Sequence, residues 1–125
     1  MRFRLGCATL GMVLAISCGE GAGITPAPTL DGTWQMFPLP GSNTILTLTQ
    51  RDSIVSGSGT WTGEACCSGT LTVGGRYVHP RVDLTLTYDN GSIAEFSGHV
   101  IDASHMVGTE AFNGGTPDTV TFTRR

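Results

Sequence analysis

The chain has 125 residues, with 7 Lys+Arg against 10 Asp+Glu and a formal net charge of −3 at pH 7. Every basic residue is an arginine and two of them, Arg2 and Arg4, stand in the leader, so the clustered basic footprint that nucleic-acid binding requires is absent. Setting aside the leader and the spacer behind it leaves about 95 residues, enough for one domain with a modest core and too few for two.

The opening stretch MRFRLGCATLGMVLAISCGEGAG puts two arginines before an apolar run from Leu5 to Ile16 and follows it with small residues, which is the layout of a secretory signal. The run is about 12 residues long, short of the roughly 20 that a helix needs to cross a bilayer. Within it, Leu14-Ala15-Ile16-Ser17-Cys18 resembles the lipobox of bacterial lipoproteins, where a small residue precedes a cysteine that is lipidated and becomes the new N-terminus. The resemblance implies a signal peptide over 1–17, lipidation at Cys18, and an acyl anchor in a lipid membrane. The protein would then be exported and held at the outer membrane, the cell surface or in the periplasm. Ala15 departs from the leucine preferred there, and ordinary signal cleavage near Ala22 is the competing reading. After Cys18, the Gly-, Ala- and Pro-rich stretch to Thr29 reads as a flexible tether, so that 18–29 leads into a domain spanning 30–125.

From Leu30 onward no run has helical spacing, and turn residues recur every ten to fourteen positions or so, a rhythm of all-β sandwiches and barrels. Eight strands are predicted in order: Thr33–Phe37, Thr44–Arg51, Ile54–Thr62, Gly69–Val73, Val82–Tyr88, Ile93–Ile101, His105–Phe112 and Thr119–Thr123. The fifth alternates most clearly, with Val82, Leu84, Leu86 and Tyr88 on one face and Asp83, Thr85 and Thr87 on the other. Asn90-Gly91 after it is a strong hairpin signal, because both residues tolerate positive φ. Short connections favour an antiparallel meander, and closing it removes both exposed edges, so the expected fold is an eight-stranded antiparallel up-and-down β-barrel.

Two features carry a second resemblance. The first strand begins LDGTWQM and the chain ends TVTFTRR; a Gly-x-Trp at the first strand and an arginine after the last are similar to the calycin superfamily of lipocalins, fatty-acid-binding proteins and avidins. The resemblance implies that Arg124 or Arg125 lies across Trp34 and closes one end of the barrel. The chain departs from the avidins at Met36, where they place an asparagine that bonds biotin, so biotin binding is not implied.

An eight-stranded barrel is just wide enough to be filled by side chains or to hold one small ligand. Expected inward residues that could line such a site are Met36, Gly57, Gly59, Trp61, Leu84, Leu86, Tyr88 and Phe96. The glycines on that face either leave room or let the strands bend. Strand seven holds a conflict. If Met106 and Phe112 face inward, the period of two takes Glu110 inside with them as a further ligand-lining candidate that could orient a polar ligand atom, unless a bulge at Gly108 intervenes or Val107 and Ala111 form the inner face.

No catalytic constellation is present: there is no Gly-x-Ser-x-Gly elbow, no His-Glu-x-x-His and no Cys-x-x-Cys. Glu95, His99 and His105 share a region but read as solvated side chains, so neither a metal nor another cofactor is expected. Removing the leader would leave Cys66 and Cys67 as the remaining thiols in an oxidising compartment. They are predicted to sit in the turn between strands three and four, either bonded to one another or paired between chains, making the protein a monomer or a disulfide-linked dimer. The expected function is that of a non-enzymatic, lipid-anchored barrel binding a small, partly apolar ligand. The alternative is a filled barrel that binds another envelope protein.

Overall fold

The computed structural model describes residues 26–37, 43–63 and 67–125. Within them, eight strands form one closed barrel in chain order: β1 (Gly32–Phe37), β2 (Asn43–Arg51), β3 (Ile54–Thr62), β4 (Ser68–Val78), β5 (Arg81–Tyr88), β6 (Ile93–Asp102), β7 (His105–Phe112) and β8 (Asp118–Arg124). Each strand pairs antiparallel with its sequence neighbour. The ring closes where β1 meets β8, with Trp34 opposite Arg124 and Met36 opposite Phe122. Closure satisfies both strand edges within the chain, as the meander required.

Strand alternation sorts residues as the hydrophobic pattern dictates. Leu46 and Leu48, Leu71 and Val73, Val82, Leu84 and Leu86, Phe96 and Val100, and Val120 and Phe122 are all buried. Threonine and serine take most of the intervening outward positions. Phe96 and Phe122 meet edge to face, with ring centroids 5.0 Å apart, in the middle of this interior.

One strand runs further than its side chains suggest. β4 continues beyond Val73 through Gly74 and Gly75 to Val78, because the ladder to β5 stays in register from Leu71↔Tyr88 down to Val78↔Arg81. Gly-Gly reads locally as a turn, but here backbone pairing on both sides overrides the propensity. The extension carries Tyr77 into the core.

The two ends of the barrel differ. Where β2, β4 and β6 end, two-residue turns at Asp52-Ser53, His79-Pro80 and Ala103-Ser104 return the chain directly. We call this end the base and the opposite one the mouth, where β1, β3, β5 and β7 end. At the mouth the longer turn Asp89–Ser92 uses Gly91 at φ 91°. The Asn90 side-chain oxygen accepts from Ser92 N at 2.9 Å, and Tyr88 O accepts from Gly91 N at 3.0 Å. This is the turn chemistry expected of Asn-Gly.

The base is plugged. Leu30 is wholly buried, and its carbonyl accepts the Trp34 indole N–H at 2.9 Å. Gln50 closes the strap from the side: its Oε1 accepts from Leu30 N at 2.8 Å and its backbone N–H donates to Asp31 Oδ1 at 2.7 Å. Arg124 lies over the Trp34 ring, 4.3 Å from its centroid. Its guanidinium donates to the carbonyls of Ala103 at 2.7 Å, Thr29 at 2.6 Å and Asp31. Tyr77 adds a donor to Pro28 O at 2.7 Å. Pro28 and Thr29, assigned by composition to the tether, are therefore bound to the barrel. The reason is that their carbonyls serve as acceptors for Tyr77 and Arg124.

Candidate functional site

With the base occupied by Leu30, Trp34 and Arg124, the space left in the barrel opens at the mouth. A cavity of about 230 Å³ there is lined by Met36, Thr44, Trp61, Thr62, Gly63, Tyr88, Asn90, Glu110 and Phe112. These residues come from the mouth ends of β1, β2, β3, β5 and β7 and from the turn after β5, so the site exists only once the barrel has closed.

Three rings form one wall. Trp61 and Tyr88 meet at 75° with centroids 6.1 Å apart, and Tyr88 and Phe112 at 64° and 5.7 Å. Trp61 is held in place by its indole N–H, which donates to Asp89 Oδ1 at 3.1 Å, while Asp89 Oδ2 accepts from Thr70 N at 3.1 Å. This bridge passes across Gly69, the register partner of Trp61 on β4, where a Cβ would meet both the Asp89 carboxylate and the Trp61 Nε1. A side chain at 69 would push the indole off its anchor. The Thr70 amide, and after it the Trp61 indole, hold the Asp89 carboxyl below the usual carboxylate range.

Beside the rings, two residues before Phe112 on the same strand, lies Glu110. Strand seven presents Met106 to the core and turns Glu110 and Phe112 toward the mouth, with no bulge at Gly108: the β6–β7 register runs unbroken from Ala94↔Phe112 to Val100↔Met106. The period of two thus carries a carboxyl inside. Among the described residues, Glu110 Oε2 is the buried side-chain oxygen that has no hydrogen-bond partner. Burial raises the Glu110 pKa, and the nearby Asp118 carboxylate, its register partner on β8, raises it further. Tyr88 is pushed up to about 12, first by burial and then by Glu110, with a side-chain hydrogen bond to Thr44 acting in the opposite sense. Across the neutral range Tyr88 is therefore a phenol.

Sequence reasoning placed Met36, Trp61, Tyr88 and Glu110 toward a ligand, and the structure brings these four together. Leu84, Leu86 and Phe96 lie deeper, buried in the packed interior. Gly57 and Gly59 do not line the cavity; a Cβ on them would run into the Thr47 and Ile45 carbonyls of the adjoining β2 backbone. Their bareness permits close approach and bending of the strands rather than ligand space. Thr44, Asn90 and Phe112 complete the wall. Thr44 was legible in principle, because it shares the parity of Leu46 and Leu48, but a threonine among outward threonines gives no local sign of facing in.

Cys67 stands at the mouth, where its carbonyl accepts from Gly63 N at 2.6 Å. Cys66 lies outside the described residues, and so does the expected bond between the two. Cys18, with the leader and most of the tether, also lies outside them. Among the described residues no three His, Cys, Asp or Glu side chains converge as metal ligands. His105 faces Asp102, with Nδ1 2.9 Å from Oδ1.

No protein-family model matches the chain, and no curated protein matches it. Among solved structures the chain is similar to a redesigned β-barrel, mFAP1, determined bound to DFHBI. The TM-score is 0.50 at 18% sequence identity, with the match covering 76% of this chain and 94% of that one. The likeness is one of fold.

Proposed function

We propose that the protein is a non-enzymatic carrier or receptor that holds a small, partly apolar ligand in the mouth of its barrel. The observation that carries this reading is the open cavity walled by Met36, Trp61, Tyr88 and Phe112 above a plugged base. At about 230 Å³ it falls below the roughly 300–1,000 Å³ of drug-sized pockets. It exceeds the ~150 Å³ that accommodates a benzene ring. A ligand of one ring or a short branched chain fits. Structural kinship to a barrel solved with a small molecule bound supports the same reading, and the Gly-x-Trp and terminal arginine support a calycin-like origin.

The leader supports export, with acylation at Cys18 tethering the barrel to a membrane and turning the ligand toward the periplasm or the cell surface. Cys66 and Cys67, bonded to each other, would stiffen the turn beside Trp61. Non-reducing electrophoresis with thiol titration checks this: a monomer without free thiol supports the bond, and a dimer band rejects it.

The decisive experiment is native mass spectrometry of the protein purified from its own host under mild extraction. A reproducible small-molecule adduct, lost when Trp61 is replaced by alanine, is expected. A barrel that is always empty, with a Trp61 indole signal unmoved by any small aromatic compound, overturns the proposal.

A further inference from the structure

The basic residues of the barrel are confined to one end, where Asp31, Asp52, Asp83 and Asp102 accompany them. All the described arginines, Arg51, Arg76, Arg81, Arg124 and Arg125, lie at or next to the base, and so do His79, His99 and His105. Around the mouth stand Asp89, Glu95, Glu110 and Asp118, with no arginine or histidine among the described residues there, and the sequence contains no lysine. A low-dielectric cleft lined by one sign of charge concentrates ligands of the opposite sign.

Inside that acidic mouth, Glu110 Oε2 is buried without a partner. Buried polar oxygens are as a rule hydrogen-bonded, and an orphan at a cavity wall marks a position where a donor belongs. The groups that face Glu110 do not supply one. Asp118 from β8 presents a carboxylate, Phe96 is its partner on β6, and the Tyr88 hydroxyl from β5 is hydrogen-bonded to Thr44 instead. The three rings beside it stand at steep angles to one another, so they present faces and edges around a corner rather than a flat slot. Aromatic faces attract cations, and such corners are used to hold ammonium groups.

The geometry points to a small organic ammonium as the ligand: its N–H donates to the Glu110 carboxylate, its positive charge sits against the Trp61, Tyr88 and Phe112 rings, and its apolar substituent fills the space toward Met36. This inference rests on the mouth cavity being a ligand site and adds the charge class of the ligand. It requires Glu110 to be ionised in the complex, and the cation's charge favours that form against the opposing effects of burial and Asp118.

The test uses the purified full chain and three probes of similar size, benzylammonium, benzyl alcohol and benzoate, each titrated while the Trp61 indole N–H resonance is followed. At neutral pH benzylammonium is expected to bind about tenfold more tightly than benzyl alcohol, with benzoate weakest. Glu110→Gln is expected to bring benzylammonium within about threefold of benzyl alcohol measured on the same variant. Acidification is expected to erase the preference in the wild type as Glu110 takes up its proton. Equal affinity for ammonium and alcohol in the wild type, or a preference that survives Glu110→Gln, overturns the ammonium assignment while leaving the cavity standing. If none of the three probes moves the Trp61 signal, the ligand site itself fails and this inference falls with it.

Discussion

Glu110 shows how one residue's placement sets a stability that depends on pH. Its folded pKa is raised above the ordinary 4.5, so below that value both folded and unfolded chains carry the proton and the group contributes nothing. As pH rises through the window above it, the unfolded chain releases the proton first and stability declines, levelling off above the folded pKa. Glu110→Gln is therefore expected to raise the melting temperature at pH 7–8, with the gain vanishing near pH 4; thermal melts across that range check it, and a variant less stable at pH 8 rejects the buried-acid reading. Asp89 works in the opposite sense. Its pKa is depressed from 3.8 by the Thr70 amide and the Trp61 indole, so its contribution is complete above that value and is lost as pH falls through the lowered one. Asp89→Asn is expected to loosen the Trp61 ring, seen as a shifted and broadened indole resonance, and to weaken aromatic probes by about two- to tenfold.

At the scale of the element, glycine decides where strands can approach one another. Gly57 and Gly59 face the Thr47 and Ile45 carbonyls of β2 with no room for a Cβ. Gly57→Ala is expected to destabilise the barrel by about 1–3 kcal/mol, the usual effect of overpacking a well-filled interior. Urea unfolding checks this, and an unchanged midpoint would show that β2 can move aside. The strands themselves were readable because alternation survives in them: predicted and observed ends agree within a residue for most. β4 is the exception. Its Gly74-Gly75 step has no side chains to alternate, and what continues the strand is hydrogen bonding to β3 and β5, which no local window contains.

At the scale of the whole molecule, Arg124 joins the two ends of the described chain. It reaches the carbonyls of Thr29 and Asp31, 95 and 93 residues away in sequence, while stacking on Trp34. Replacing it by Gln is expected to cost about 2–4 kcal/mol, from one cation–π contact and several charge-assisted hydrogen bonds to carbonyls that are then left unmet. The loss should appear as a single cooperative shift of the unfolding transition, with the affinity of the mouth for aromatic probes unchanged, since base and mouth share no residue. Weakened probe binding in that variant would show that the two ends are mechanically coupled.

Hydrophobic alternation, the turn signals and the rarity of charge were enough by themselves to determine an all-β chain, its eight strands and the inward face of most of them, because a strand's period of two is a local property. The parity of Glu110 was also present in the sequence, as a conflict between a carboxyl and an apolar face. Only the tertiary structure decided that conflict, since an inward carboxyl is tolerable only at an open end of the barrel, and which end is open depends on Leu30, Trp34 and Arg124 filling the other. The gathering of the described arginines at the base, away from the carboxylates of the mouth, has the same origin. Residues far apart in the chain become neighbours at one end of the barrel only after antiparallel strands have turned alternate connections to the same side.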